Sequence, residues 1–327
     1  MPLPIERVFQ SIERELREVE AEMEKNFLSE ISMIPKVSRY LIASGGKRFR
    51  PMLLLLSAKL CGYEGPRAVP LASTMEFIHT ATLLHDDVVD AAFIRRGMAS
   101  ANSVWGNGAS VLVGDFLFCK SFSLIAQDGQ LAILRVISTA TTRMAEGEVM
   151  QLMRKGSPET SEEDYFYVVI NKTAVLISAA CQIGAILADA ARERETALAD
   201  FGMDLGIAFQ LMDDALDYSA DEEVFGKAIG KDLEEGKITL PLIYTLRTST
   251  AESRERIRGV IQNPDRAKED LDFVMRAVRS CGAVEYTHRR AEEYVSRAKS
   301  GLVERFPSSF EREALLTLAD YTVQRKK

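Results

Sequence analysis

The chain has 327 residues, of which 46% are hydrophobic and 27% charged, which is enough apolar material for one large domain or two ordinary ones. Its formal net charge of −7 argues against a nucleic-acid partner, because nucleic-acid binding needs a basic surface. The basic residues nevertheless form short groups, at residues 47–50, 95–96 and 227–237, which indicates a small anionic substrate.

Apolar residues recur at three- and four-residue spacings through most of the chain, which is the pattern of helices. The spacings predict helices over residues 5–27, 31–42, 52–61, from about 68 through 90, 110–125, 131–153, 162–188, 196–218, 240–247, 251–262, 266–280, 283–304 and 310–325. Turns or loops are predicted at 99–108, 155–160 and 248–253. No stretch alternates apolar and polar residues as a strand would, so the sequence predicts an all-α protein whose residues 1–327 form one helical domain.

The four cysteines are scattered without metal-ligand spacing, which predicts reduced thiols. Residues 1–27 are rich in Glu and Arg and do not resemble a signal peptide. The longest uncharged run, residues 173–188, is shorter than the roughly 18–20 residues of a membrane-spanning helix. These observations predict a soluble, cytoplasmic protein without membrane insertion.

Three carboxylates lie within five residues on one predicted helix, at Asp86, Asp87 and Asp90. Asp86 and Asp90 share a helix face, with Asp87 at its edge, and like charges at this spacing repel each other. Because the flanking residues are apolar on nearly every side, we interpret the helix as buried, and buried carboxylates need partners. Mg²⁺ shared with substrate phosphates suits such oxygen ligands.

The same spacing recurs in a second apolar helix, at Asp213, Asp214 and Asp217. A single motif of this kind is more often part of a solvated acidic helix face, but two copies in buried helices are difficult to explain as solvated faces. The sequence therefore predicts that the two motifs form two walls of one metal-phosphate site. We call them the first aspartate cluster (Asp86, Asp87, Asp90) and the second aspartate cluster (Asp213, Asp214, Asp217).

Seven motifs occur in order over residues 45–242: GGKRFRP, LLHDDVVDAAFIRRG, GDFLF, GEVMQL, NKTA, FQLMDDALDY and GKAIGKDLEEGKITLPL. In this combination the chain resembles the trans-isoprenyl diphosphate synthase family. The resemblance implies a single large bundle of antiparallel helices around a deep central cavity, and usually a homodimer. It also implies the reaction, in which isopentenyl diphosphate attacks the carbocation left when an allylic diphosphate ionises, so that the product is one isoprene unit longer.

The resemblance also assigns the metal ligands and makes Mg²⁺ the cofactor. Asp86 and Asp90 hold Mg²⁺ in the first cluster and Asp213 in the second, with Asp217 as a further candidate ligand. The resemblance gives Asp87 and Asp214 a supporting role, in which they contact the metal ligands.

Other positions match the groups that bind the two substrates. Those for the allylic diphosphate are Arg95, Lys172, Lys237 and Lys227. Thr173 and Gln210 match positions beside the reacting carbons, where hydroxyl and amide dipoles stabilise positive charge. Isopentenyl diphosphate needs a cationic pocket of its own, and the matching positions are Lys47, Arg50, Arg96 and His79.

Two residues near these motifs have a second interpretation. Arg48 belongs either to the isopentenyl pocket or to the surface beside it. His85 directly precedes the first cluster but faces about 100° away from Asp86, and we predict that it is structural.

The resemblance implies that the released diphosphate takes the proton, so we predict no separate base.

Ala81 and Thr82 lie on the same helix, upstream of Asp86, along the predicted path of the growing chain. Family members with short products carry aromatic residues there, so these small side chains predict a long, membrane-seeking product for quinone biosynthesis. Octaprenyl is the first choice, and heptaprenyl to decaprenyl remain open. A helix turn rises about 5.4 Å, roughly one isoprene unit, so a deeper floor is needed, with the candidates Leu124, Ile125, Ile137 and Met144.

Three other functions compete with this one. A short-chain farnesyl or geranylgeranyl diphosphate synthase is disfavoured by Ala81. A class I terpene cyclase also uses an aspartate-rich helix and Mg²⁺, but it has no use for the isopentenyl pocket at Lys47 and Arg50. A non-catalytic synthase subunit would be expected to lack some of the aspartates or arginines that this chain has.

Overall fold

A computed structural model describes residues 3–219, 230–263 and 265–324. The chain divides into two compact units, each built from separate stretches of sequence. Unit 1 comprises Met1–Ser138, Ala179–Ala199 and Arg305–Thr317, and unit 2 comprises Thr139–Ser178, Asp200–Glu304 and Leu318–Lys327. Both are helical, which confirms the predicted all-α class, whereas the prediction of one domain stays a prediction.

Unit 1 consists mainly of the first seven helices. These are α1 (Ile5–Ser11), α2 (Glu13–Asn26), α3 (Met33–Ala43), α4 (Phe49–Leu60), α5 (Ala68–Val89), α6 (Ala101–Trp105) and α7 (Asn107–Asp128). The predicted helix over 5–27 is interrupted at Ile12, whose backbone leaves the helical region at φ −125° and ψ 9°. The predicted turn over 99–108 is wrong, because α6 forms within it.

Unit 2 contains or shares the remaining helices. These are α8 (Leu131–Arg154), α9 (Glu162–Val168), α10 (Val175–Leu187), α11 (Arg192–Ser219), α12 (Lys231–Glu234), α13 (Leu240–Thr248), α14 (Ala251–Gln262), α15 (Lys268–Ser280), α16 (Ala283–Arg305) and α17 (Phe310–Gln324). Five of them, α8, α10, α11, α16 and α17, contribute residues to both units, α16 only through Arg305. The loop predicted at 248–253 is shorter than expected, since Thr250 caps a helix that starts at Ala251.

A two-stranded hairpin follows α5, although no strand was predicted. Its strands are β1 (Ile94–Arg95) and β2 (Met98–Ala99), and they pair antiparallel. Arg96 and Gly97 connect them with φ values of 50° and 79°, as in the two-residue turns that suit hairpins. Strands of two residues are too short to show alternation, which explains why the pattern missed them.

Helix α5 lies at the centre of unit 1. Residues 71–78 are all buried, including the polar Ser73, Thr74 and Glu76, so the helix is central to the unit. It runs antiparallel to α7 and is joined to it at both ends: Ser110 Oγ donates to the Leu84 carbonyl at 2.9 Å, and Arg67 binds both carboxylate oxygens of Asp128 at 2.7 Å. The Ser110 bond holds the end of α5 that carries the first aspartate cluster.

In unit 2 the stretch Val169–Ala174 forms a π-helical turn between α9 and α10. This wider turn is approached closely by two glycines. A Cβ on Gly147 of α8 would lie 2.7 Å from the Lys172 amide nitrogen, and one on Gly206 of α11 would lie 2.5 Å from Ala174 Cα. Both are shorter than van der Waals contact allows, so glycine at these positions makes room for the wide turn.

Two helical stretches, Asn107–Asp128 and Glu162–Leu187, are long and apolar enough to cross a membrane by length and composition alone. The second is 78% buried within the protein and the first 33%. The core helix of a globular domain passes the same test, so these stretches are weak evidence for membrane insertion.

Candidate active site

The first aspartate cluster lies where α5 ends. Asp90 caps the helix, and its amide donates to the Asp86 carbonyl at 2.8 Å, so the two residues are one turn apart as predicted. Asp86 and Asp90 are half-buried, whereas Asp87 is fully buried. The expectation that the whole cluster is buried is therefore wrong. A rotation of about 100° per residue turns only Asp87 into the core.

Asp87 is held by the hairpin that follows. Arg95 donates through Nε and Nη2 to Asp87 Oδ1, both at 2.7 Å. The backbone carbonyl of Asp87 accepts from the amide of Ala92 at 2.9 Å and from Asn102 Nδ2 at 3.0 Å. Asp87 thus fixes the orientation of Arg95, which the sequence assigned to the allylic diphosphate.

The predicted isopentenyl pocket is a basic region of unit 1. Half-buried His79 has a pKa well below its ordinary value, first because burial disfavours the imidazolium and then because four guanidinium groups repel it. They belong to Arg50, Arg96, Arg95 and Arg48. Arg96 also donates to the Gly45 carbonyl, so the structure brings the hairpin that carries Arg96 to the segment that carries Arg50, whereas Lys47 is exposed at the start of that segment.

Arg48 is buried and is not the surface residue that one interpretation allowed. Its guanidinium donates to Glu20 and Glu76, both at 3.1 Å, and to the Ile42 carbonyl at 3.3 Å. It has φ 48°, a left-handed conformation that costs energy outside glycine. Since Glu76 lies one turn before His79 on α5, Arg48 fastens the GGKRFRP segment to the helix that carries His79.

His85 has structural partners, in agreement with the prediction. Its Nε2 lies 3.2 Å from Asp115 Oδ1 and 3.3 Å from the Val111 carbonyl, both on α7. Ala81 is fully buried on α5, and the Thr82 hydroxyl donates to the His79 carbonyl at 2.8 Å. What lies below Ala81 along the product path stays a prediction, as do the four floor residues.

The second aspartate cluster lies on α11 in unit 2 and divides in the same way as the first. Asp213 is exposed and Asp214 buried. Asp214 Oδ2 accepts from the Tyr165 hydroxyl at 2.5 Å, and Oδ1 from Gln210 Nε2 at 2.8 Å. Burial raises the pKa of Asp214 to about 7, although both hydrogen bonds act in the opposite direction.

Asp217 supports the segment that follows the gap in the described residues. Its Oδ1 accepts from the amide of Lys231 at 3.2 Å and its Oδ2 from that of Asp232 at 3.1 Å. The carboxylate thereby caps the start of α12, where amides lack partners within the helix. Burial raises the pKa of Asp217 above its ordinary value, against the effect of these two bonds.

The NKTA motif forms the π-helical turn. Lys172 pairs with Glu148 of α8, and the Thr173 hydroxyl donates to Gln210 Oε1 at 3.0 Å. Lys237 Nζ lies 2.7 Å from Glu235 Oε2. Unit 2 therefore brings Thr173, Gln210 and the second cluster together, whereas the predicted Lys227 lies outside the described residues.

Comparison with known proteins identifies the family. Residues 31–278 match the polyprenyl synthetase family. The chain is 44% identical to octaprenyl diphosphate synthase of Escherichia coli (strain K12), over 99% of both chains.

The chain belongs to the polyprenyl synthetase family.

Two solved structures of polyprenyl synthetases share its fold. A decaprenyl diphosphate synthase from Rhodobacter capsulatus superposes with a TM-score of 0.94 at 41% identity, covering 99% of this chain and 100% of the other. A polyprenyl synthase from Caulobacter crescentus CB15, complexed with calcium and isoprenyl diphosphate, gives 0.95 at 38% identity, covering 100% and 99%. These findings confirm the isoprenoid synthase fold and a prenyltransferase enzyme, and they favour long-chain elongation over the short-chain alternative.

The acidic residues of this polyprenyl synthetase suit a hard divalent cation. Burial raises the pKa of Asp232 well above its ordinary value, and repulsion from Asp217 and Asp214 raises it further. In the first cluster, buried Asp87 Oδ2 has no donor among the residues that the structure describes. A bound cation would relieve this crowding of carboxylates, and oxygen-only ligands suit Mg²⁺.

No group of three or more His, Cys, Asp or Glu side chains within the described ranges is arranged to hold a metal ion by itself. Mg²⁺ usually keeps several waters and binds through one or two carboxylates plus substrate phosphates.

The sequence did not indicate several residues that organise the site, namely Glu76, Glu148, Tyr165 and Asp232. Glu76 lies three residues before His79, and Asp232 directly follows Lys231 in the last motif. Both positions could therefore have been found from the sequence. Glu148 lies within the GEVMQL motif, although the motif alone gives it no role. Tyr165 had no signal, because it lies outside the motifs and its partner Asp214 is distant in sequence.

Proposed function

We propose that this chain is a long-chain all-trans polyprenyl diphosphate synthase that adds isopentenyl diphosphate units to an allylic primer such as farnesyl or geranylgeranyl diphosphate. The observation that carries the proposal is the cationic group in unit 1 in which Arg50 and Arg96 act on half-buried His79. Such a group is suited to a diphosphate that binds without metal ions. A terpene cyclase has no second diphosphate that needs such a pocket.

The allylic diphosphate is the leaving group, and its negative charge must be stabilised as it departs. Arg95, oriented by Asp87, and Lys172 and Lys237 supply positive charge for it, together with Lys227 outside the described residues. Asp86, Asp90 and Asp213 are the accessible or half-buried carboxylates that would hold Mg²⁺. When bound, Mg²⁺ acts as a Lewis acid on the departing diphosphate.

The remaining steps need few protein groups. The hydroxyl of Thr173 and the amide of Gln210 present fixed dipoles to the allylic carbocation, which preorganises the site for positive charge. Lys47, Arg50, His79 and Arg96 bind isopentenyl diphosphate and orient its double bond. The leaving diphosphate then takes the proton that completes the new alkene, so no side-chain base is required.

The decisive experiment is incubation of the purified chain with farnesyl diphosphate, isopentenyl diphosphate and Mg²⁺. We expect incorporation of several isopentenyl units and a product that mass spectrometry identifies as octaprenyl diphosphate. Release of diphosphate without incorporation would favour a cyclase. A C15 or C20 product would favour a short-chain synthase, and inertness would favour a non-catalytic subunit.

Product length depends in this proposal on the small side chain of buried Ala81. Ala81→Phe would fill the path below the first aspartate cluster and shorten the product, which reversed-phase chromatography measures. Ala81→Ser changes the volume little and serves as the control. An unchanged product length in Ala81→Phe would contradict the proposed direction of the tunnel.

We further propose a homodimer formed through α7. Of the most apolar 18-residue stretch of this helix, 33% is buried within the chain, and Leu112 on it is 69% exposed. A contiguous apolar face left in water is typical of an interaction surface. Light scattering should give twice 36.4 kDa for the wild type and for Leu131→Asp, a control on α8, but a monomer for Leu112→Asp. A monomeric wild type would refute the dimer. Cytoplasmic localisation and service to quinone biosynthesis remain proposals.

A further inference from the structure

A buried tyrosine stands behind the second aspartate cluster without belonging to any sequence motif. Tyr165 and Asp214 are each 4% exposed, and the hydroxyl donates to Asp214 Oδ2 at 2.5 Å. A buried carboxylate needs donors for its oxygens. Tyr165 supplies one of them, and Gln210 Nε2 supplies the other at 2.8 Å.

Asp214 thereby orients the amide of Gln210. The two ends of a glutamine amide have nearly the same shape but opposite hydrogen-bonding character. Since Nε2 donates to Asp214, Oε1 lies at the other end, where it accepts from the Thr173 hydroxyl at 3.0 Å. The hydrogen bonds converge on Asp214, because Thr173 donates to Gln210 while Gln210 and Tyr165 both donate to the Asp214 carboxylate.

We propose that Tyr165 is a positioning residue for prenyl transfer, which acts through Asp214 to hold the Gln210 amide with its carbonyl oxygen beside Thr173. The inference rests on the proposed function, because it assigns that oxygen to the stabilisation of the allylic carbocation. A carbonyl oxygen carries partial negative charge. If its orientation is fixed before the reaction, no reorientation is needed when positive charge develops.

The helix that carries Tyr165 is anchored independently of any substrate. At the start of α9, Ser161 and Asp164 form a reciprocal capping box, with bonds of 3.0 and 3.1 Å. Glu162 in the same turn accepts from Arg247 at 3.1 Å and from Arg290, and these two charged partners anchor it without the neutral Tyr286 hydroxyl, which also donates to Glu162 at 3.0 Å. Because its helix is fastened at this end, Tyr165 can serve as a fixed point for Asp214.

The first experiment compares two tyrosines that both bind a carboxylate of unit 2. Tyr165→Phe removes the donor to Asp214, and Tyr286→Phe removes a donor to Glu162, outside the proposed site. We expect Tyr165→Phe to lower the single-turnover rate of the first condensation with farnesyl diphosphate about tenfold, the lower range for groups that orient a reacting residue. The KM for isopentenyl diphosphate and the Mg²⁺ concentration at half-maximal rate should not change, and Tyr286→Phe should keep the wild-type rate.

The second experiment tests whether Tyr165 acts through Gln210. In a Gln210→Leu background, Tyr165→Phe should lower the rate further by less than twofold, because the amide that it orients is gone. A full tenfold loss in that background would overturn the proposal. An increased Mg²⁺ requirement in Tyr165→Phe, or an equal loss in Tyr286→Phe, would also overturn it.

The proposed function and the proposed role of Tyr165 are refuted by different results. A wild-type chain that incorporates no isopentenyl diphosphate refutes the proposed function itself. An active wild type in which the effects of Tyr165→Phe and Gln210→Leu are independent refutes only the role of Tyr165. Thermal unfolding of both tyrosine variants shows whether each is folded at the assay temperature.

Discussion

The two aspartate clusters have the same spacing but hold their buried carboxylates in different ways. In each, the first aspartate is accessible and the second is buried. In unit 1 the buried Asp87 binds the cation Arg95, whereas in unit 2 the buried Asp214 binds the neutral groups of Tyr165 and Gln210. The two buried aspartates therefore have different roles. Asp87 orients Arg95, a proposed ligand of the diphosphate, and Asp214 orients the Gln210 amide, which we propose lies beside the reacting carbons.

The largest expected effect comes from the accessible aspartates, which we propose hold Mg²⁺. Asp86→Asn and Asp213→Asn should each lower kcat by about 10²–10³-fold, the usual cost of removing one group that stabilises transition-state charge. Thermal unfolding should change little, because neither side chain is fully buried. Exposed Asp200 on α11 provides the matched control, and Asp200→Asn should keep full activity. If Asp213→Asn stayed within threefold of the wild type, the second cluster would have no metal role.

The next largest effect is on the free energy of unfolding, which substitution of the two buried aspartates should lower by different amounts. Asp87→Asn removes the charged partner of Arg95, and breaking such a buried pair costs about 3–5 kcal/mol, with the lower end expected here because Arg95 is partly exposed. Asp214→Asn keeps neutral partners and relieves repulsion from Asp213 and Asp217, so we expect a change within about 1 kcal/mol. Urea unfolding measures both. Equal losses would show that the nature of the partner does not matter.

The smallest effect is a difference in pH dependence between the units. The pKa of His79 is lowered on folding, so its contribution to stability falls as the pH drops below the unfolded value of about 6.5. The pKa of Asp214 is raised to about 7, so its contribution falls as the pH rises from about 4 to 7.

The two opposite pH dependences of stability can be measured as the Tm of each variant at pH 5 and at pH 7 in the presence of EDTA. Relative to the wild type, the change in Tm from pH 5 to pH 7 should be more negative in His79→Asn and more positive in Asp214→Asn. Variants that shift it in the same direction would contradict the assignment of one effect to each unit.

Much of the fold could be predicted because periodicity dominates long helices. The predicted helix over 251–262 coincides with α14, and those over 131–153 and 283–304 differ from the observed ones by one residue. The errors are short features, namely the break at Ile12, the hairpin after α5 and the helices α6 and α12. Their geometry depends on turn conformations such as that of Arg96 and on tertiary contacts, which periodicity does not record.

The predicted site residues came from motifs, whereas the residues that orient them came from the structure. Arg48 was left undecided because its partners Glu20 and Glu76 are each 28 residues away. Tyr165 was missed for a geometric reason. It lies eight residues before Thr173, and in a regular helix this separation turns the two side chains about 80° apart.

The π-helical turn at Val169–Ala174 removes this mismatch. A π turn takes up one extra residue compared with an α turn, so that eight residues behave like seven, about two full turns. Tyr165 and Thr173 therefore reach Asp214 and Gln210 on the same neighbouring helix.

This arrangement has a consequence for engineering. Deleting one residue of the wide turn between Tyr165 and Thr173 would leave them seven residues apart in an uninterrupted α-helix, about two full turns, so the two side chains would keep their alignment. Inserting one residue there would instead turn Tyr165 about 100° away from Thr173 and misalign the two hydroxyls. The alignment therefore depends on a match between the number of residues and the width of the turn, and a redesign that changes either one alone would lose it.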